Sequence, residues 1–245
     1  MQSITDPELV LNGDFEELGD DAVTNGTFDT DSNWTLGTSW SIEDGVAASD
    51  GGASYLTSGS TLTSGNTYRV SLEITEYNGG SVSLPFDGAG ANTNYQNSVG
   101  VKTADIIAEN NSPIYIYSSG FDGKIDNVSV QQVDPNDRWT AQNGWTLQDG
   151  LASFGSTVSS YRKLFQENFL TIGNTYELSF EILSISSGSI ANLETGSPSF
   201  DTVGVKTQTF VATFDDLYLE PTTDANLTID NISVKDITFS EDVDL

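Results

Sequence analysis

Every second residue of Tyr68-Arg-Val70-Ser-Leu72-Glu-Ile74 is apolar, and the alternation returns in Tyr176-Glu-Leu178-Ser-Phe180-Glu-Ile182. A period of two buries one face of an extended chain and leaves the other in water, so both segments are predicted to be half-buried antiparallel strands. Asn-Gly and Asp-Gly pairs punctuate such runs: Asn12-Gly13, Asn25-Gly26, Asp44-Gly45, Asn78-Gly79, Asp122-Gly123, Asn143-Gly144 and Asp149-Gly150. These residue types enter tight turns at little steric cost. No amphipathic helix longer than a turn or two can be drawn. Many short strands separated by such turns predict an all-β chain built of β-sandwiches.

The pattern is written twice. Trp34-x(5)-Trp40 with Asp44-Gly45-Val-Ala47 returns as Trp139-x(5)-Trp145 with Asp149-Gly150-Leu-Ala152. Leu62-Thr-Ser-Gly-Asn66-Thr-Tyr68 returns as Leu170-Thr-Ile-Gly-Asn174-Thr-Tyr176, and Val99-Gly-Val-Lys-Thr103 is repeated unchanged at 203–207. Ile125-Asp-Asn-Val-Ser-Val130 returns as Ile229-Asp-Asn-Ile-Ser-Val234. A period this long marks a duplicated domain and not a solenoid. The opening motif breaks the symmetry. Leu9-Val-Leu-Asn12-Gly13-Asp-Phe15-Glu16 and Val23-Thr-Asn25-Gly26-Thr-Phe28-Asp29 stand close together, whereas nothing like them precedes Trp139. Nesting accounts for this: two jelly-roll β-sandwiches, the first inserted after the opening strand of the second. The expected domains are 22–133, and 1–21 together with 134–245. Leu9–Phe15 is then expected beside Ile229–Val234, and Val23–Phe28 beside Ile125–Val130; the alternative is that Leu9–Phe15 is a leftover arm.

Charge narrows the function. Eight basic residues face 36 acidic ones, a formal net charge of -28. Such a field repels nucleic acid and anionic membranes, so neither is an expected partner, while it suits solubility in saline water or the company of a divalent cation. With no cysteine and no histidine, disulfides, thiol chemistry, Ser-His-Asp arrangements and histidine-based zinc sites are all closed. Paired carboxylates remain possible in principle for glycoside hydrolysis, but no pair stands out among so many acids, and no catalytic residue is assigned. The Gly-rich stretches Gly79-Gly80 and Gly88-Ala-Gly90 do not lead from a strand into a helix and read as loops. The N-terminus shows neither a basic n-region nor an apolar h-region, and no apolar run is long enough to span a bilayer. Synthesis in the cytosol is expected, with any export inside a particle released by lysis.

The order Val-x-Asn-Gly-x-Phe, Trp-x(5)-Trp, Asp-Gly-x-Ala, Leu-Thr-x-Gly-Asn-Thr-Tyr and Ile-Asp-Asn-Val/Ile-Ser-Val resembles the carbohydrate-binding-module-like jelly rolls. More narrowly, it is similar to the tandem copies in structural proteins of tailed phages, marine ones in particular. The resemblance spans about residues 9 to 238 and implies a non-enzymatic virion protein that decorates the capsid or forms part of a tail fibre. Other virion proteins are the implied partners, with a homo-oligomer as a further option. The competing reading is a glycan-binding module that attaches to cell-surface polysaccharide; a calcium-dependent surface-layer or adhesion protein is a third. The resemblance also implies a structural calcium where the opening motif meets the last strand, held by Glu16 and Asp230 in the second sandwich and by Asp29 and Asp126 in the first. Asp29 is shorter than the glutamate the pattern expects. Without a metal, Asp126 and Asp230 would be turn residues bonded to nearby backbone N–H groups.

Aromatic residues are the other candidates. Trp34, Trp40, Trp139 and Trp145 occupy matching places in both copies and read as core packing. Glycan contacts are expected where the copies differ, at Tyr77, Tyr95 and Tyr117 in the first and Tyr161 and Tyr218 in the second; Tyr115 and Tyr117 share one strand face, which reads as structure first. The segments 1–8 and 238–245 lie outside the repeats and are candidate anchoring arms.

Overall fold

The computed structural model describes residues 7–87, 94–155, 160, 162–194 and 197–238. The Gly-rich segment at 88–93, Tyr161 and nearly all of both candidate arms lie outside the described residues. Among the described residues every regular element is a strand, a bridge or a turn, so the chain is all-β. It divides into two compact units: a central one, Leu18–Val133, and a split one, Met1–Glu17 with Asp134–Leu245.

Each unit is a two-layer sandwich. In the central unit one layer runs, in hydrogen-bonded order, through Trp34–Leu36, Ser54–Thr61, the first part of Pro113–Val133, the end of Thr67–Ser83 and Tyr95–Gln96. The other runs through Trp40–Glu43, Val46–Asp50, the second part of Pro113–Val133, the first part of Thr67–Ser83 and Gly100–Ile107. The two long strands thus serve both layers. They turn the corner where Gly80, at φ +69°, lies so close to Gly120 that a methyl on it would fall 1.8 Å from the Gly120 carbonyl oxygen. In the split unit the corresponding strands are interrupted at this corner. One layer there is Thr140–Ala141, Leu164–Gln166, Leu217–Pro221, Ile190–Asn192 and Ser199–Phe200, and the other is Trp145–Gln148, Leu151–Gly155, Asn226–Asp236, Thr175–Ser187 and Gly204–Val211.

The period-two segments behave as their pattern demands. Tyr68, Val70, Leu72 and Ile74 are buried in the central unit, and Tyr176, Leu178, Phe180 and Ile182 in the split unit. Arg69, on the outward side of the same strand, makes a two-pronged ion pair with Asp105 directly across the sheet, at 3.0 and 3.3 Å. The repeated Val-Gly-Val-Lys-Thr motif begins each edge strand with a lysine cap. Lys102 Nζ donates to Ser98 Oγ and the Val99 carbonyl, and Lys206 Nζ to Thr202 Oγ1 and the Val203 carbonyl. A lysine beside an open edge also discourages further strand pairing.

The opening motifs differ from the expected strands. Leu9–Phe15 is a chain of bends and turns, with Asn12 and Phe15 at φ +54° and +53°. Val23–Phe28 repeats this, with Asn25 and Phe28 at +63° and +51°. Positive φ interrupts a regular ladder, and for phenylalanine it is a strained conformation that only surrounding packing sustains. Leu18–Asp21, which the sequence pattern attaches to the second sandwich, pairs antiparallel with Gln131–Val133 and belongs to the central unit.

Candidate binding faces and the repeated clamp

Most of the repeated residues meet at one structure. In each copy the Ile-Asp-Asn-Val/Ile run shifts register against its neighbour, and its asparagine takes a positive φ, 51° at Asn127 and 55° at Asn231. This is a β-bulge, with the aspartate Oδ1 accepting from the next backbone N–H at 2.7 Å (Asp126) and 2.6 Å (Asp230). The opening motif clamps the residue after the bulge. Val128 N donates to the Gly26 carbonyl at 2.9 Å and Ile232 N to the Gly13 carbonyl at 2.8 Å. Leu9 N donates further along the same strand, to the Val234 carbonyl at 3.0 Å. Phe28 and Phe15 fill the core beneath, 5.2 Å from Trp34 and 5.4 Å from Trp139 between ring centroids. The indole N–H groups close the clamp, Trp34 onto the Asn25 carbonyl and Trp139 onto the Asn12 carbonyl.

The four residues expected to hold calcium fall around these clamps, unequally. In the split unit Glu16 lies against Gly150, where a methyl would fall 1.9 Å from Glu16 Oε1. Asp230 titrates above the ordinary carboxylate range, first because burial disfavours its charge and then because Asp14, Glu181 and Glu16 crowd it; the bond from Asn231 N opposes this in part. A cation would relieve that repulsion, and because Gly150 has no side chain the Glu16 carboxylate can lie against it, so Glu16 and Asp230 are the residues that would hold an oxygen-liganded ion. In the central unit Asp29 is exposed and accepts from Thr27 Oγ1 at 2.8 Å, while Gly45, the counterpart of Gly150, has nothing within 4 Å. That pair does not fit. Among the described residues no three acidic side chains gather as a ready-made cage in either unit.

All four tryptophans are buried, between 5 and 8 % exposed. Trp40 and Trp145 mirror the clamp tryptophans by donating to the carbonyls of Ser54 and Arg162. None offers a face to a ligand.

Exposed aromatics gather elsewhere. On the outer face of the central unit, Tyr55 and Tyr117 are directly opposed across two strands, their centroids 4.8 Å apart. Tyr115 lies 5.7 Å from Tyr55, and Phe86 lies 6.5 Å from Tyr55 and 6.0 Å from Tyr115. Tyr55 is 49 % exposed and the other three are half-buried. Among the described residues the hydroxyls of Tyr55, Tyr115 and Tyr117 have no hydrogen-bond partner, whereas those of Tyr68, Tyr77, Tyr176 and Tyr218 each have one. The platform thus couples ring faces with unused polar tips.

The remaining tyrosine candidates are scattered. Tyr77 packs beside Phe121 and donates to the Gly80 carbonyl at 3.1 Å, so its ring and hydroxyl are both engaged. Tyr95 is exposed on the short strand at the far edge of the platform's layer. Tyr218 occupies in the split unit the place that Tyr115 has in the central one, but with other neighbours. Lys163 and Glu220 stand where the central unit has Tyr55 and Tyr117. Lys163 Nζ sits 4.2 Å over the Tyr218 ring, and Glu220 is paired with Arg162 at 2.8 Å. Tyr55 and Phe86 were missed by sequence reasoning, which also read the face of Tyr115 and Tyr117 as structure first. The one local signal is that Tyr55 and Thr57 are outward members of an alternating run; the cluster itself exists only once strand register is known.

No protein-family model matches the chain, and no curated protein sequence matches it. Among solved structures the chain is similar to the N-terminal CBM22-1–CBM22-2 tandem domain of Xyn10C from Paenibacillus barcinonensis, at 11% sequence identity and a TM-score of 0.33, over 91% of this chain and 99% of that one.

Proposed function

We propose that this chain is a non-catalytic tandem β-sandwich protein that binds a neutral glycan on the tyrosine platform of its central unit. The observation that carries the reading is the set of three tyrosine hydroxyls without partners among the described residues, on rings packed 4.8 to 5.7 Å apart. An aromatic face matches the apolar C–H face of a pyranose, and an unused phenol can exchange hydrogen bonds with its hydroxyls. The net charge of -28 disfavours uronate-rich or sulfated polymers, which leaves uncharged ones. The lack of histidine and cysteine supports a binding role over a catalytic one.

Affinity electrophoresis in gels containing neutral polysaccharides, one polymer at a time, tests the proposal. At least one polymer is expected to retard the chain. Tyr55→Ala and Tyr117→Ala should each weaken that binding about tenfold, the scale of a stacking aromatic anchor, without lowering the unfolding temperature appreciably. Equal retardation of the wild type and both variants, or none at all, refutes it. The finer reading, in which this module rides on a tailed-phage particle docked to capsid or tail proteins, is supported by the order of the repeated motifs. A mass-spectrometric count in purified particles tests it: tens to hundreds of copies indicate decoration of the head, a few indicate a tail fibre, and absence rejects it.

Structural calcium between Glu16 and Asp230 is a further part of the proposal; it would neutralise the crowded carboxylates and pin the opening segment to the last strand. Because the folded state raises the pKa of Asp230, it holds a proton that the unfolded chain releases over the window between the two pKa values. The contribution of Asp230 to stability therefore declines as pH rises through that window and is unfavourable at neutral pH. In chelator, Asp230→Asn is expected to leave the melting temperature at pH 7 unchanged or slightly raised. In millimolar calcium the wild type is expected to gain several degrees and the variant none. A wild-type melting temperature indifferent to calcium removes the metal from the proposal.

A further inference from the structure

The duplication supplies an internal control for surface chemistry, because the two units solve one backbone problem with different side chains. In the split unit the turn from Leu170 to Asn174 is laced to the loop after the edge strand. Gly173 N donates to the Ala212 carbonyl, Leu170 N to the Asp215 carbonyl and Ala212 N to the Asn174 carbonyl, all at 2.9 Å. The central unit repeats the lacing, with Gly65 N on the Ala108 carbonyl, Leu62 N on the Ser112 carbonyl and Ala108 N on the Asn66 carbonyl. There Ile107, the counterpart of Val211, is likewise exposed, but the turn beside it is polar and closed on itself, since Ser64 donates from its backbone N to Asn111 and from its hydroxyl to the Glu109 carbonyl. The split unit places Ile172 where the central unit has Ser64, and Phe214 in a loop one residue shorter, where the central unit has the pair Asn110-Asn111. Ile172 is 64 % exposed and Phe214 44 %, and the neighbouring Val211 is also exposed.

Phe214 is not isolated. The Phe214 ring stands edge-on to Tyr218 at 5.7 Å, and Tyr218 lies 5.3 Å from Phe165. Acids surround Tyr218. The Tyr218 phenol donates to Asp216 Oδ2 and is pushed up to about 12, first by that bond, then by burial and by the charges of Asp216, Glu167 and Asp215. Within this acidic rim Lys163 has laid its ammonium over the Tyr218 ring, an example in the same chain of the group such a rim accepts. An aromatic and aliphatic centre inside a charged border is the anatomy of a protein interface.

We propose that Ile172, Val211, Phe214 and Tyr218 form a docking patch for a lysine-bearing apolar segment of a partner protein. The charge pattern selects that occupant: a second copy of this chain would bring acid rim against acid rim, whereas a basic segment meets complementary charge and is steered towards it. The proposal stands independently of the glycan platform, which belongs to the other unit.

Chemical-shift mapping of the whole chain, titrated with an end-blocked peptide of alternating lysine and leucine, tests it. Saturable shifts are expected at the amides of Ile172, Val211 and Phe214, weakening as salt is added. Ile172→Ser and Phe214→Asn install the residues that the central unit carries at these places, so folding should persist, as unchanged shifts in the rest of the spectrum will show. Together they should weaken the peptide at least about tenfold. The same peptide with glutamate in place of lysine should not bind. Shifts centred elsewhere, equal binding by the double variant, binding of the glutamate peptide, or no binding would each overturn the proposal. So would sedimentation showing dimers that the double variant abolishes, because the occupant would then be a second copy.

Discussion

Gly13→Ala is expected to unfold the split unit at temperatures where the wild type is fully native. A methyl at this position would fall 2.0 Å from the Ile232 carbonyl oxygen and 3.1 Å from its carbon. Both are backbone atoms of the last strand, so no side-chain rotation relieves the clash. The two chains must move apart, and in doing so they break the bond from Ile232 N to the Gly13 carbonyl and lift Phe15 out of the core. Strain and lost packing together should cost on the order of 3 kcal/mol or more, a large share of a domain's stability. Gly26→Ala is expected to do the same to the central unit, where the methyl would lie 1.9 Å from the Val128 carbonyl oxygen. Gly155→Ala is the control: its methyl would meet nothing within 4 Å and φ there is not positive, so its effect should be small. Peptide-resolved hydrogen exchange reads the two units separately. Wild-type protection of the split unit in Gly13→Ala would show that the clamp yields without loss.

Trp139→Ala is the second large effect expected, a loss of about 3–5 kcal/mol from the split unit. The indole is 5 % exposed, packs on Phe15 and ties the Asn12 carbonyl at 2.8 Å. Its removal opens a cavity directly over a phenylalanine whose positive φ depends on being held. Trp139→Phe separates the contributions. It restores most of the volume and deletes only the hydrogen bond, and since the Asn12 carbonyl still accepts from Phe15 N, the cost should be about 1 kcal/mol. Urea unfolding followed by fluorescence distinguishes the cases. Nearly equal losses for alanine and phenylalanine would mean that the bond, and not the packing, holds the clamp.

The all-β class was legible because alternation survives folding: Tyr68 to Ile74 and Tyr176 to Ile182 each bury the side their pattern marks. Irregular backbone was not. The repeated Asn-Gly-x-Phe announces a turn through its first two residues, but nothing in a phenylalanine announces a positive φ, so Phe15 and Phe28 looked like members of a strand. The Asp-Asn pair of the last strand could be suspected as a metal ligand or as a turn, and the bulge at Asn127 and Asn231 appears only when register is known. The platform lay beyond sequence reasoning for a related reason. Tyr55 and Tyr117 are far apart along the chain and become neighbours only through a particular pairing of two strands. Repetition itself proved informative in an indirect way. Residues shared by the copies build the clamp, and both candidate faces lie where the copies diverge.

The bond from Leu9 N to the Val234 carbonyl also sets an order of events on the ribosome. Synthesis proceeds from the N-terminus, so every strand partner of Leu18–Val133 has emerged while the second half of the chain is still being made. The opening residues must wait for their partner until the last strand leaves the exit tunnel. During that interval they carry Val10 and Phe15, side chains destined for the core, in water. The central unit can reach its native state early, whereas the split unit must close its longest loop last, a slow step by chain topology alone. Any factor that shields a nascent chain has its greatest effect on the segment before Leu18.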